Sequence, residues 1–114
     1  MTPRPGEVYW AFSDKRRPVV VVSREELNRG GYVVVLPLTT ARLEVRRTLP
    51  NCVPIQGAKY GLKDCVAQAE MISTLSRSDL LDPEKGPVTK LDDEMMRSLI
   101  RALGYVVRAE FKPA

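Results

Sequence analysis

The absence of histidine is the first limit on the chemistry that this sequence can perform. None of the 114 residues is a histidine. Serine–histidine–aspartate and cysteine–histidine nucleophilic systems both need an imidazole, and so does RNA cleavage by a histidine pair. Any chemistry here therefore uses arginine, lysine, carboxylate, hydroxyl or thiol groups. The formal net charge of +4 favours a polyanionic partner without requiring one.

The two cysteines, Cys52 and Cys65, flank a predicted turn. In a cytosolic chain we expect two reduced thiols in the core, and a hairpin disulfide is the alternative that the sequence leaves open. Two sulfurs without a histidine are too few ligands for a zinc site, so we expect no metal and no other cofactor.

Length and hydropathy predict a single cytoplasmic domain over residues 1–114. A chain of this length has no room for a second core. Apolar runs such as residues 19–22 are too short to cross a bilayer, so no membrane partner is expected. Residues 1–6 lack the apolar segment of a secretory signal.

The first two-thirds of the chain has the pattern of short strands separated by turns. Continuous Val-rich runs at residues 18–23 and 31–38 favour strands buried on both faces. Pro50 and Pro54 predict an edge strand, and the polar residues 24–30 a connection with one helical turn. The predicted strands are residues 7–12, 18–23, 31–38, 49–55 and 64–75, the last being one strand or a bent pair.

The pattern changes at Leu91, where a closing amphipathic helix is predicted. Acidic residues 92–94 in its first turn and Arg108 near its end suit the helix dipole. Residues 76–81 are predicted to form a short helix and residues 83–87 a turn. Several short strands followed by one helix predict a mainly β fold, a small SH3-like barrel capped by helices. The helix's apolar positions are Met96, Leu99, Ile100, Leu103, Val106 and Val107.

Three ordered stretches of sequence, with the start of the last helix, carry a resemblance to a known family. The first is RPGEVYW at residues 4–10, and the third is YGLKDCVAQAEMISTL at residues 60–75. The second runs from RPVVVVS through Asn28 and Arg29 to VVVLPLT, over residues 17–39. Together with LDDEMM at residues 91–96, they resemble the MazF/PemK/Kid toxins over roughly residues 4–108.

The resemblance implies a homodimer with the plasmid-maintenance toxin fold of CcdB and PemK. It implies a sequence-specific endoribonuclease that cuts single-stranded mRNA without a metal and leaves 2′,3′-cyclic phosphate and 5′-OH ends. It also implies the toxin of a type II toxin–antitoxin system, inhibited by an antitoxin with an acidic disordered segment. Two alternatives with the same fold stay open: a catalytically degenerate RNA binder and a gyrase-targeting toxin of the CcdB type.

The same segments imply the site residues. Arg17 matches the family's leading catalytic candidate, and its planar, permanently charged guanidinium suits a two-pronged contact with phosphate oxygens. Thr39 matches the threonine that ends the second segment. Glu70 matches an acidic position whose carboxylate could take the proton of the RNA 2′-OH. The residues expected to bind RNA are Lys15, Arg16, Lys59, Gln68, Ser73 and Thr74.

Several departures from the family pattern favour the degenerate binder, whereas Arg17 and Thr39 favour the nuclease. The loop at residues 13–16 is much shorter than usual, and Gln68 stands where some members carry a catalytic arginine. Met71 and Ser73 likewise replace a common glutamine and arginine. Four further cations would contact RNA phosphates if they lie on one face of the protein. Three aromatic residues would stack on bases if exposed, although such residues on a strand more commonly belong to the core. The cations are Arg42, Arg46, Arg47 and Lys63, and the aromatic residues are Tyr9, Trp10 and Tyr32.

Overall fold

The computed structural model describes residues 2–12 and 15–108, and its main feature is a curled antiparallel sheet that forms a half-barrel. The strand order is β4–β5–β3–β2–β1–β7, and β6 pairs with a second part of β3. The strands are β1 (Glu7–Phe12), β2 (Arg16–Val21), β3 (Tyr32–Thr39), β4 (Cys52–Ile55), β5 (Cys65–Gln68), β6 (Ser73–Ser76) and β7 (Thr89–Lys90).

Three α-helices accompany the sheet: α1 (Glu25–Asn28), α2 (Leu43–Arg46) and α3 (Asp93–Val106). The predicted closing helix is confirmed as α3. Asp92 caps its N-terminus by accepting a hydrogen bond from the Met95 backbone N–H at 2.9 Å. The one-turn connection is confirmed as α1, and the short helix and the turn before α3 as 3₁₀ turns at Arg77–Asp79 and Pro83–Lys85.

The Val-rich strands are buried on both faces, as their uninterrupted apolar runs predict. Side chains alternate along a strand, so neighbouring residues of β2 enter different layers. Val20 packs with Leu36 and Leu99 in the core between the sheet and α3. Val19 and Val21 pack on the opposite face with Tyr9, Val33 and Val35. The sheet is therefore the middle layer of the domain.

The third segment forms the bent pair of strands. Strand β5 pairs with one end of β3, where Thr39 is opposite Val66, and β6 pairs further along, where Val35 is opposite Ser73. A 3₁₀ turn at Ala69–Met71 separates the two strands and packs against α3 and β4. This turn interrupts the pairing of the third segment with β3.

Other predictions concern the edges and the cysteines. Strand β4 lies at the end of the sheet, as Pro54 predicts, and α2 and β7 were not predicted. Cys52 and Cys65 are buried free thiols, and the strand register does not place them opposite each other. No helix in the part of the chain described is long and apolar enough to span a bilayer.

The Ser–Asn pair of the second segment forms a buried polar network. Asn28 is 0% exposed, and its Nδ2 donates to the carbonyl oxygens of Pro3 (2.9 Å) and Ser23 (3.0 Å). The Ser23 hydroxyl donates to Asn28 Oδ1 and accepts from the Val34 backbone N–H at 2.9 Å. These bonds tie the N-terminal segment, α1 and β3 together, so this part of the motif is structural.

Candidate functional site

A pocket of about 490 Å³ lies where β2 begins and β3 ends, at one end of the sheet. Because β2 and β3 are antiparallel, the basic residues that start β2 lie beside the threonines that end β3. Among the residues described, the charged side chains that line the pocket are all cationic: Lys15, Arg16, Arg17 and Lys63. Four positive charges around one cavity attract a polyanion.

Arg17 and Thr39 lie together, as the resemblance implies. Val19 is opposite Pro37, so Arg17 and Thr39 lie at the same end of the two strands, and both line the pocket. Arg17 also borders a smaller pocket of about 130 Å³, which Ser73 lines from β6. Arg17 therefore borders both cavities.

The Thr39 hydroxyl oxygen accepts two hydrogen bonds at the end of β3. The backbone N–H of Ala41 donates to Oγ1 at 3.1 Å, and Nη1 of Arg46 lies 3.4 Å from the same oxygen. Arg42 then adopts a left-handed conformation with φ of 54°, and this turns the chain into α2. Thr39 and Arg46 are consequently brought together by a tight local turn.

Trp10 provides the aromatic surface of the pocket. It is half-buried, and the Arg16 guanidinium lies over its indole at 4.9 Å from the ring centroid. Tyr9, by contrast, is in the core, where burial and a hydrogen bond to Glu7 raise the pKa of its hydroxyl to about 12. Tyr32 is exposed and does not line the pocket. Of the three aromatic candidates, only Trp10 is placed to contact a ligand there.

Lys63 enters the pocket through a turn that requires a glycine. A Cβ added to Gly57 would lie 2.1 Å from the carbonyl oxygen of Leu62, so the chain can close only around a bare backbone. The Gly57 N–H donates to Asp64 Oδ1 at 2.8 Å and holds the other side of the turn. This closure directs Leu62 and Lys63 to the pocket, with Cys65 behind them.

Cys65 is not a reactive nucleophile in this pocket. Burial, together with the nearby Asp64 carboxylate, raises the pKa of its thiol to about 11. The thiolate is the reactive form, so a thiol with this pKa is almost entirely protonated at neutral pH. Within residues 2–12 and 15–108, no three cysteine or carboxylate side chains are grouped so as to hold a metal.

Glu70 does not line the pocket of Arg17 and Thr39, contrary to the arrangement expected from the sequence. Its carboxylate accepts a hydrogen bond from Asn51 Nδ2 at 2.8 Å on the exposed 3₁₀ turn after β5. The physical reason is the break between β5 and β6, because the turn there moves Glu70 off the β3 ladder. Its role as a base stays a prediction.

Four of the expected RNA-binding residues also lie outside that pocket: Lys59, Gln68, Ser73 and Thr74. Lys59 pairs with Asp92 at the start of α3 and lies 5.5 Å from the Tyr60 ring centroid. Gln68 is buried at the end of β5, and Thr74 is on β6 opposite Val34. Lys15 and Arg16 do line the large pocket, and Ser73 lines the smaller one.

Sequence reasoning missed several residues of the pocket. Thr40 lines it beside Thr39, and adjacency to a candidate was the signal that could have identified it. Leu62 lines the pocket beside Lys63, and its adjacency to that residue was again the signal that could have identified it. Val88 also lines the pocket, because the segment before β7 returns to β1, and no sequence pattern pointed to it.

A family model described as a PemK-like, MazF-like toxin of type II toxin–antitoxin systems matches residues 4–107. The chain belongs to this toxin family. The match spans both sides of the pocket, including Arg17 and Thr39. Comparison with proteins of curated function gave no match.

Solved structures of similar proteins confirm the toxin's mainly β fold. An endoribonuclease in complex with its cognate antitoxin, from a mycobacterial species, is 27% identical with a TM-score of 0.80, covering 96% of this chain and 99% of that one. Another mycobacterial endoribonuclease is 28% identical with a TM-score of 0.77, covering 95% and 93%. A MazE–MazF complex from Deinococcus radiodurans, 20% identical, shares the fold with a TM-score of 0.76, covering 95% and 98%.

Proposed function

We propose that this toxin is an endoribonuclease that cuts single-stranded mRNA at short sequences in the cytoplasm, without a metal ion. The observation that carries the proposal is the pocket, where four cations, the Thr39 hydroxyl and the Trp10 ring surround one cavity. Cations bind phosphates, and an aromatic face stacks an unpaired base. The naming of two mycobacterial neighbours as endoribonucleases supports the same activity.

The proposed reaction uses the RNA's own 2′-hydroxyl. The 2′-hydroxyl loses its proton to a water molecule, and its oxygen bonds to the adjacent phosphorus. The bond from phosphorus to the 5′-oxygen breaks, this oxygen takes up a proton, and a 2′,3′-cyclic phosphate and a 5′-OH result. The guanidinium of Arg17 binds two phosphate oxygens as negative charge builds on them. Thr39 adds a hydroxyl donor, and the ammonium groups of Lys15 and Lys63 are the nearby acids that can protonate the leaving oxygen.

The decisive experiment follows cleavage of a mixed-sequence single-stranded RNA by wild-type protein and by Arg17→Ala, with and without EDTA. Loss of one preorganised donor costs about 3–4 kcal/mol, so we expect a drop in rate on the order of 10²–10³. Arg17→Lys should recover little, because an ammonium cannot make the two-pronged contact. Arg47→Ala is the matched control, since it removes an equal charge from an exposed residue paired with Glu44.

The products and the controls define what would refute the proposal. Mass spectrometry should find the upstream product lighter by one water than a linear phosphate. Full activity in Arg17→Ala would remove Arg17 from the chemistry, and activity abolished by EDTA would contradict metal independence. Wild-type protein that binds RNA and never cuts it would instead establish the degenerate binder.

Glu70 is tested in the same assay. Because its carboxylate is bound to Asn51 outside the pocket, we expect Glu70→Gln to retain most of the cleavage rate. A loss as large as that of Arg17→Ala would show that Glu70 reaches the RNA and would support its predicted role as the base.

We also propose that the toxin is a homodimer. Ile100, Tyr105 and Val107 are each more than half exposed at the C-terminal end of α3 and just beyond it, a large apolar surface for so small a chain. Sedimentation at micromolar concentration should give twice the 12.8 kDa mass of one chain. A monomer under those conditions would contradict the proposal.

The proposed inhibitor is a cognate antitoxin whose acidic, disordered segment covers the cationic pocket. Carboxylates and RNA phosphates would then compete for Arg17 and its basic neighbours. A purified antitoxin should co-elute with the toxin and block cleavage, and Arg17→Ala should weaken the complex. Co-elution with cleavage unimpaired would show that the segment binds elsewhere.

A further inference from the structure

Arg46 does not line the pocket, but its side chain contacts Thr39, which does. It is the last residue of α2, seven positions after Thr39. Its Nη1 donates to the carbonyl oxygen of Ala41 at 3.0 Å and lies 3.4 Å from Thr39 Oγ1. The shorter bond fixes the guanidinium against the turn, and the longer contact directs one N–H towards the Thr39 hydroxyl.

The bonds around Thr39 determine which way its hydroxyl can donate. A hydroxyl has one hydrogen and two acceptor lone pairs. The Ala41 backbone N–H and Arg46 Nη1 both approach Oγ1 as donors. With both lone pairs facing donors, the hydroxyl hydrogen is the one group left to make a further bond. Thr39 lines the pocket, so a ligand oxygen bound there can accept the hydrogen bond that this hydroxyl donates.

We propose that Arg46 is a positioning residue that holds the Thr39 hydroxyl as a donor to the RNA phosphate in the pocket. This inference rests on the proposed ribonuclease activity. Arg46 on α2 thus gives the site a second guanidinium. On β5, position 68, where some members of the family carry an arginine, is a buried glutamine in this chain. Arg46 acts through Thr39, so its effect has to disappear when the hydroxyl is gone.

A double-mutant cycle tests this dependence. Kinetic constants for RNA cleavage are measured for wild type, Arg46→Ala, Thr39→Val and the double variant. A hydrogen bond to a charged group contributes enough that Thr39→Val should lower kcat roughly 10- to 100-fold. Arg46→Ala should lower kcat about tenfold with little change in KM, because the donor matters most in the transition state. The double variant should be no slower than Thr39→Val.

The controls separate positioning from folding and from general charge. Arg29→Ala removes an equal charge from an exposed residue that pairs with Glu25 and does not line the pocket, and it should leave kcat near the wild-type value. Urea denaturation checks that each variant is folded. If Arg46→Ala does not fold, Arg46→Lys provides a milder change at the same position. Losses that multiply in the double variant, or wild-type kcat in Arg46→Ala, would overturn the proposal. Wild-type protein that cuts no RNA would refute the ribonuclease proposal and this one with it.

Discussion

Replacing Asn28 by alanine should destabilise the toxin without altering the pocket. The side chain makes three hydrogen bonds and is 0% exposed, so water cannot replace them. The carbonyl oxygens of Pro3 and Ser23 would lose their donor, and the Ser23 hydroxyl its acceptor. At about 1 kcal/mol for each bond, the free energy of unfolding should fall by roughly 3 kcal/mol. For a domain near this size that lowers Tm by about 12 °C or more.

Urea denaturation provides the measurement, read as a lower midpoint at unchanged slope. Arg29→Ala is the matched control, because its exposed ion pair with Glu25 should contribute well under about 1 kcal/mol. Cleavage per folded molecule should equal that of wild type, since Asn28 does not line the pocket. A destabilisation below about 1 kcal/mol would refute the hydrogen-bond accounting. A stable variant without activity would show that the network supports the site directly.

Three further predictions concern single groups. Trp10 is the sole tryptophan, so a non-cleavable 2′-deoxy oligonucleotide should quench its fluorescence, and an unchanged spectrum at saturation would exclude stacking there. The hydrogen bond from Lys59, with that from the Met95 N–H, lowers the pKa of Asp92 to about 2 from the ordinary 3.8. A lowered pKa stabilises the fold above the unfolded value, so stability should fall as pH drops from about 4 to 2, and Asp92→Asn should flatten that fall. Cys65, with a pKa of about 11, should react with iodoacetamide far more slowly in the native protein than in urea, and equal rates would contradict its burial.

Much of the fold could be predicted because its strongest signals are local. An uninterrupted Val run predicts a strand buried on both faces, and β2 contributes Val20 to one layer and Val19 to the other. Period and capping predict α3, whose first turn is acidic and whose N-cap is Asp92. Pro54 in β4 predicts an edge position for the same local reason. Each of these signals reflects a constraint that acts within a few residues.

The misplaced site residues share a different cause, which is pairing over long distances. The sequence predicts one strand or a bent pair over residues 64–75, and β3 is long enough to pair with two short strands in succession. The extra residues between them form the turn that takes Glu70 to Asn51. Lys59 reads as a free surface cation, yet α3 brings Asp92 beside it. No pattern along the chain states which partner a side chain meets after folding.

The shortness of the connection between β1 and β2 determines how this site is built. β1 ends at Phe12 and β2 begins at Arg16, and residues 13 and 14 of that loop lie outside the described residues. Two of the four cations of the pocket, Arg16 and Arg17, therefore come from the start of a paired strand, where Arg17 is opposite Ala11 in the β1–β2 ladder. Groups fixed in a ladder keep their geometry without a loop having to close over them. A site with few functional groups can therefore still be preorganised. Arg17 needs this preorganisation to stabilise negative charge on the phosphate.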